Sequence, residues 1–164
     1  MIDRRWLLAA AGSVAAALGV RTVSAAKTEA TFEIQKSDAE WRALLSNAQY
    51  DVLRKEGTER PYSSPLNAEK RQGTFACAGC DLPLFSSATK FESGTGWPSF
   101  YQPLSDAIGT STDTTLFMRR TEVHCRRCGG HLGHVFDDGP KPTGLRYCMN
   151  GVALKFMPAA PGST

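Results

Sequence analysis

The chain has 164 residues, of which 41% are hydrophobic and 21% are charged, a composition typical of globular proteins. Its length allows one domain, or one domain preceded by a leader segment, and argues against two independent domains. The formal net charge of +3 is spread along the chain without a Lys/Arg cluster, which argues against nucleic acid as a partner. No apolar run is long enough for a polytopic membrane protein.

Residues 1–25 are predicted to be a signal peptide. Arg4 and Arg5 are followed by fifteen residues without a charge, and the small residue Ala25 fits a cleavage site. Twin arginines followed by Trp-Leu-Leu resemble the twin-arginine export signal, which carries folded proteins across the bacterial inner membrane. The alternatives are an ordinary secretory signal and an uncleaved anchor. We expect residues 26–164 to be a periplasmic domain that is not stably membrane-associated after cleavage.

Two short helices are predicted after the leader. Ser37 and Glu40 have the spacing of a capping box, which starts the first helix. The apolar spacing that begins at Trp41 continues this helix to about Asn47. A second short amphipathic pattern covers residues 48–55.

The sequence from Gly73 onward is typical of strands and turns, because short apolar runs alternate with Gly, Pro and Ser. The runs that predict strands are 74–76, 82–85, 115–118, 134–136 and 152–156. Runs this short favour a mainly β fold with small antiparallel sheets over a parallel β-α-β array. The tail from Pro158 is expected to fray.

Four of the five cysteines form two Cys-x-x-Cys pairs, and they are Cys77, Cys80, Cys125 and Cys128. Each pair places two thiolates on one side of a tight turn, so two pairs supply the ligands of a tetrahedral zinc ion. The distance between the pairs exceeds that of a zinc finger, which predicts one structural zinc that clamps two loops. Two disulfides and a redox-active pair are the alternatives. Export of a folded protein favours zinc, since the metal is then loaded while the thiols are reduced.

The fifth cysteine, Cys148, lies in the segment Arg-Tyr-Cys-Met-Asn, which contains no second cysteine. A lone cysteine is usually a small buried hydrophobic residue. An unpaired thiol in an exported protein is nevertheless a hazard unless it has a function. Arg146 is expected to lower the pKa of this thiol if both side chains face one cleft.

Two further segments are candidates for a binding site. The segment 94–100, Gly-Thr-Gly-Trp-Pro-Ser-Phe, places Trp97 on a constrained loop, where an exposed aromatic ring is costly unless it lines a pocket. The segment 131–138 supplies two imidazoles and two carboxylates. The alternatives are a packed loop aromatic and core, surface or metal-ligating histidines. His124, beside Cys125, is expected to be an uninvolved surface residue.

Together these segments, in this order around two Cys-x-x-Cys pairs, resemble the methionine-R-sulfoxide reductases of the B type. The similarity covers roughly residues 33–156, including the Trp-Arg-Ala-Leu-Leu of the first predicted helix and a Gly-Thr-Glu-Arg-Pro turn. The resemblance implies a mainly β fold of two antiparallel sheets with short N-terminal helices. It also implies reduction of the R epimer of methionine sulfoxide in oxidised proteins, which is protein repair under oxidative stress.

The resemblance assigns the reacting thiol and the substrate-binding residues. Cys148 matches the nucleophile, whose thiolate attacks the sulfoxide sulfur and is left as a sulfenic acid. Trp97 and Phe136 would hold the substrate methyl group. Many family members carry a second, resolving cysteine where this chain has Thr95. The sulfenic acid is therefore expected to be reduced by a thioredoxin-like or other external thiol, rather than by a cysteine that gives up zinc.

The resemblance also assigns polar groups around the sulfoxide oxygen. His131, His134 and Asn150 would position this oxygen and assist its protonation. Asp138 would orient one of the imidazoles. Arg146 would support the Cys148 thiolate.

Two functions of other classes are the alternatives. The chain could be a zinc-ribbon binding module in which Cys148 is only structural. It could also be a thiol-disulfide oxidoreductase that uses a Cys-x-x-Cys pair. A methionine-R-sulfoxide reductase assay of wild type against Cys148→Ser separates the three functions.

Overall fold

The structure is a computed structural model, and it describes residues 32–114 and 119–160. These residues belong to one compact unit, Thr31–Thr164. The predicted signal peptide and the predicted strand 115–118 lie outside the described residues and stay predictions. Within the described ranges, no helix combines the length and the hydropathy that crossing a membrane requires.

Two short helices, α1 (Asp38–Leu44) and α2 (Asn47–Lys55), precede the sheets. The predicted capping box is present, because the Ser37 hydroxyl accepts from the Glu40 amide and the Glu40 carboxylate accepts from the Ser37 amide. A second capping box begins with Ser46 and starts α2. The first helix therefore ends earlier than predicted, since the residues after Leu44 cap the next helix.

The described strands form two antiparallel sheets, so the predicted mainly β fold is confirmed. The strands are β1 (Gly73–Cys77), β2 (Pro83–Ser86), β3 (Lys90–Phe91), β4 (Ser99–Phe100), β5 (Ile108–Asp113), β6 (Arg120–Cys125), β7 (His131–Phe136), β8 (Arg146–Met149) and β9 (Leu154–Pro158). The first sheet has the order β2-β1-β9, and the second has the order β3-β4-β8-β7-β6-β5.

Aromatic side chains from both sheets make the centre of the core. Phe75 of β1, Phe85 of β2 and Phe100 of β4 are fully buried. The ring of Phe100 stacks on that of Phe85 at 4.4 Å and meets Phe75 edge to face at 5.0 Å. Each such aromatic pair stabilises the fold by about 0.5–1.5 kcal/mol beyond the contribution of its buried area. They anchor the two-residue strand β4 beside β8, which carries Cys148.

Candidate active site

Cys148 lies on β8, between β4 and β7 of the second sheet. The strand register places it opposite Ser99 on one side and His134 on the other. Because β4 directly follows the loop 94–98, this loop reaches the thiol, and Thr95 Oγ1 is 3.9 Å from Cys148 Sγ. The fold therefore brings the segments that the sequence singled out to one cysteine.

A cavity of about 220 Å³ opens over Cys148. Trp97 and Phe136 line it with aromatic surface, and its other lining residues are Thr58, Arg120, Gly133, His134 and Asn150. This volume is below the roughly 300–1,000 Å³ of sites for drug-sized ligands, so it suits a single side chain. A larger cavity of about 520 Å³ lies between α2 and residues 151–156, but none of the described residues that line it is a cysteine or a histidine.

The Cys148 thiol is partly buried, and this burial raises its pKa above the ordinary value. The Thr95 hydroxyl, the Arg146 charge and the Ser99 hydroxyl all lower this pKa, but they do not outweigh burial. The expected influence of Arg146 is therefore present. The sequence did not predict the opposing effect of burial on this pKa, because it does not show how deeply β8 lies in the sheet.

Asp138 binds Arg146 through both carboxylate oxygens, with Nε to Oδ1 and Nη2 to Oδ2 distances of 2.8 Å. This pair holds the pKa of Asp138 below its usual range. The Arg146 guanidinium in turn lies 4.4 Å from the centre of the Phe136 ring, its partner in the strand register. The prediction that Asp138 orients an imidazole is wrong, because the β7–β8 pairing carries its carboxylate to Arg146. The pair instead fixes one aromatic wall of the cavity.

Two other carboxylates hold the imidazoles, and the sequence analysis missed both. Glu122 Oε1 is 2.8 Å from Nδ1 of His131, and Asp113 Oδ2 is 2.7 Å from Nε2 of His134. Since a carboxylate accepts, each of these ring nitrogens carries the hydrogen, which fixes the tautomer. The β5–β6–β7 pairing and a bulge after Val123 create both contacts. No local pattern in the sequence encodes them.

The two histidines differ in environment. His134 lines the cavity, and burial lowers the pKa of its imidazole despite the hydrogen bond to Asp113. His131 is buried behind it at 3% exposure, with the two ring centres 5.4 Å apart. The hydrogen bond to His131 lowers the pKa of Glu122 to about 2. Nε2 of His131 has no hydrogen-bond partner within the described part of the chain.

Asn150 and Trp97, which both line the cavity, share a partner that the sequence did not predict. The Asn150 Oδ1 accepts from the backbone amide of Glu59 at 2.9 Å. The Trp97 indole donates to the backbone carbonyl of the same residue at 3.1 Å. Glu59 lies within the Gly-Thr-Glu-Arg-Pro turn that contributed to the family resemblance, which is the one sequence signal that points to it.

The four cysteines of the two pairs come together at the ends of β1 and β6. Their sulfurs lie within 4.8 Å of one another, and the four residues are Cys77, Cys80, Cys125 and Cys128. Two of the distances are 3.7 Å and 3.5 Å. Tetrahedral zinc with bonds of about 2.3 Å places its sulfurs about 3.8 Å apart, whereas a disulfide needs about 2.05 Å. The arrangement fits a four-thiolate metal site that joins the two sheets, and it contradicts two disulfides.

Histidine does not join this cluster within the described residues. His124, beside Cys125, is half-buried, and its ring meets that of Phe32 edge to face at 5.6 Å. Burial lowers the pKa of its imidazole. His124 is therefore only partly exposed at the surface, because Phe32 of the segment before α1 packs on its ring.

Comparison with known proteins identifies the class to which this fold and site belong. Residues 45–158 match the family model described as "SelR domain", a range that includes both Cys-x-x-Cys pairs and the cavity over Cys148. Curated relatives named peptide methionine sulfoxide reductase MsrB match most of the chain. One from Pseudomonas putida (strain W619) is 58% identical over 127 residues, which are 77% of this chain and 96% of the relative.

Relatives from two other organisms carry the same name. The protein from Methanosarcina barkeri (strain Fusaro / DSM 804) is 57% identical over 75% of this chain and 87% of its own length. The protein from Leptospira interrogans is 52% identical over 76% of this chain and 96% of its own length. The chain belongs to the MsrB family of peptide methionine sulfoxide reductases, which are oxidoreductases.

Proposed function

We propose that this protein reduces the R epimer of methionine sulfoxide in oxidised proteins, with Cys148 as the nucleophile. One observation carries the proposal: the cysteine outside the four-cysteine cluster lies under a cavity of side-chain size with aromatic and polar walls. Trp97 and Phe136 hold the S-methyl group, since a polarizable thioether packs well on aromatic surface. His134 and Asn150 contact the sulfoxide oxygen.

The reaction transfers one oxygen atom and two electrons. Cys148 Sγ attacks the sulfoxide sulfur and forms a transient sulfur–sulfur bond. As the oxygen moves from the substrate sulfur to Sγ, this bond and the substrate S–O bond break, and methionine leaves in reduced form. The oxygen stays on Sγ with a proton as a sulfenic acid. Because burial raises the thiol pKa, Cys148 enters the reaction with its proton. His134, opposite Cys148 in the register, passes this proton to the oxygen. His131 supports the His134 ring from behind, and Arg146 favours the transient thiolate.

Regeneration of Cys148 requires two thiols from outside the chain. The Thr95 hydroxyl lies 3.9 Å from Cys148 Sγ, at the place where a second thiol would be needed. The four remaining cysteines lie together in the cluster and serve as metal ligands. A thioredoxin-like or other thiol reductant therefore attacks the sulfenic acid, forms its own disulfide and releases water.

We further propose that the cysteine cluster binds one structural zinc ion. The sulfur distances match a tetrahedral four-thiolate ion, and the chemistry that zinc supplies there is a fixed link between the two sheets. The ligand residues are Cys77, Cys80, Cys125 and Cys128. The cluster is separate from the cavity over Cys148, so the ion takes no part in the reaction.

We also propose that the protein is exported through the twin-arginine route to the periplasm. Arg4 and Arg5, the apolar segment after them and the small residue at position 25 support this proposal. Fractionation of cells that express the full chain tests it, with Lys in place of both arginines as the comparison. Periplasmic protein that survives this double replacement would indicate the general secretory route.

The activity is tested with dabsyl-methionine-R-sulfoxide and dithiothreitol. We expect turnover by the wild type, no turnover by Cys148→Ser, and no activity on the S epimer. Zinc content and the unfolding midpoint of the variant serve as controls for folding. A folded wild type that reduces neither epimer supports a zinc-binding module, and disulfide reductase activity that survives in Cys148→Ser supports a thiol-disulfide oxidoreductase.

A further inference from the structure

Glu59 makes hydrogen bonds to two of the residues that line the cavity over Cys148, Trp97 and Asn150. Its backbone carbonyl accepts from the Trp97 indole at 3.1 Å, and its backbone amide donates to Asn150 Oδ1 at 2.9 Å. Its carboxylate accepts from the amides of Gly151 and Val152 at 2.6 Å and 2.9 Å. Four hydrogen bonds from one residue therefore connect the loop before β4 with the turn after β8.

The Glu59 carboxylate caps the turn after β8, a role that the side chain of the N-cap residue Asn150 would ordinarily have. Asn150 is the N-cap of the 3-10 turn Gly151–Ala153, yet it makes no side-chain capping hydrogen bond. An N-cap Asn normally accepts from the first free amides of its own helix. Here Glu59 satisfies these amides with charge-assisted hydrogen bonds, which leaves the Asn150 amide group free to turn toward the cavity.

The orientation of the Asn150 side chain is then fully determined. Its Oδ1 accepts from Glu59, and its Nδ2 donates to the carbonyl of Leu132 at 3.1 Å. A carboxamide has two N–H donors, and the second has no protein partner among residues 32–114 and 119–160. Because Asn150 lines the cavity, this second hydrogen is available to a ligand oxygen.

We infer that Glu59 is a positioning residue for the reductase site, through its cap on the turn after β8 and its backbone contacts with Asn150 and Trp97. The inference rests on the proposed function for its catalytic consequence, whereas the hydrogen-bond geometry stands independently. Glu59 does not line the cavity over Cys148 and contacts no reacting atom. It acts by holding two groups that do line the cavity.

The substitution Glu59→Gln tests this inference with little change in shape. The carboxamide offers one acceptor and one donor to two backbone donors, so one capping hydrogen bond is replaced by a donor–donor contact. We expect kcat/KM for methionine-R-sulfoxide to fall about tenfold, with kcat falling as well as KM rising. Glu56→Gln, the same change at an exposed position three residues earlier, is the matched control and should retain wild-type kinetics.

A double-mutant cycle separates positioning from a general loss of structure. If Glu59 acts through Asn150, Glu59→Gln should lower kcat/KM less than about twofold in the Asn150→Ala background. A full tenfold loss in that background would exclude Asn150 as the route of action, and together with an unchanged Trp97 indole resonance it would overturn the inference. Glu59→Asp, which keeps the charge on a shorter stem, takes the place of Glu59→Gln if the latter does not fold.

A spectroscopic measurement makes the test independent of turnover. In the ¹H–¹⁵N spectrum of Glu59→Gln, the Trp97 indole resonance should shift and its hydrogen exchange should accelerate, with the buried Trp41 indole as the internal reference. An unchanged Trp97 resonance contradicts the positioning role. If Glu59→Gln shows the indole effect but the wild type does not reduce methionine-R-sulfoxide, the proposed function alone is refuted.

Discussion

The substitution Thr95→Cys provides the most direct test of how the five cysteines divide their roles. Thr95 Oγ1 lies 3.9 Å from Cys148 Sγ, and a disulfide would require a sulfur–sulfur distance of about 2 Å. The loop must therefore move by about 2 Å. Among the described residues, and apart from its two chain neighbours, no atom lies within 4 Å of the position a Cβ would take on Gly94, so the loop has space for this movement. We expect the introduced thiol to reach the sulfenic acid.

The expected stabilisation follows from the loop that the new bond closes. The two residues are 53 positions apart, and the loop-closure relation then gives about 4 kcal/mol for the oxidised form before any strain is subtracted. Urea unfolding of oxidised and reduced Thr95→Cys measures this free-energy difference. Ala88→Cys, with a thiol on an exposed turn that does not line the cavity, is the matched control and should show no difference.

A single turnover without reductant gives the chemical readout. Wild type should retain a sulfenic acid on Cys148 that dimedone traps as one adduct in the mass spectrum, with the metal still bound. Thr95→Cys should give a disulfide between residues 95 and 148 and no adduct. If the wild type instead forms a disulfide between Cys148 and a cluster cysteine and releases metal, the separation of the two cysteine roles is wrong.

Three further predictions concern the metal, the cavity and the thiol. Cys80→Ser should unfold or strongly destabilise the domain, because a structural metal ion contributes its binding energy to folding; a folded, active, metal-free variant in metal analysis would refute this. Trp97→Ala should lower kcat/KM more than tenfold, about 1.4 kcal/mol or more in the transition state, with little change in unfolding midpoint. If activity and stability fall by equal amounts, Trp97 is a core residue and not a substrate-binding one. Because burial raises the pKa of Cys148, its alkylation by iodoacetamide should accelerate with pH to beyond the ordinary thiol pKa of 9.0. Arg146→Met should move this profile to still higher pH, since the guanidinium favours the thiolate, and an unmoved profile would contradict that influence.

The features that the sequence by itself determined depend on contacts between near neighbours in the chain. The capping box of Ser37 and Glu40 joins residues three positions apart, so its two partners are visible in the sequence. A Cys-x-x-Cys pair places two sulfurs on one turn for the same reason, and the matched spacing of two pairs predicts that they meet. The segments around Trp97, His131 and Cys148 were also found in this way, together with the family that they resemble.

Only the tertiary structure decided the partners of the site residues. Asp138 is close to His134 in the chain, yet the strand pairing places the Asp138 carboxylate against Arg146. The hydrogen-bond partner of His134 is Asp113 instead. Strand pairing joins residues many positions apart, and a single bulge changes which side chains meet. Glu59 likewise meets its partners across 91 and 38 positions. The depth of a thiol within a sheet also depends on these long-range pairings, which is why local residues predicted the influence of Arg146 on the pKa of Cys148 but not the larger, opposite effect of burial.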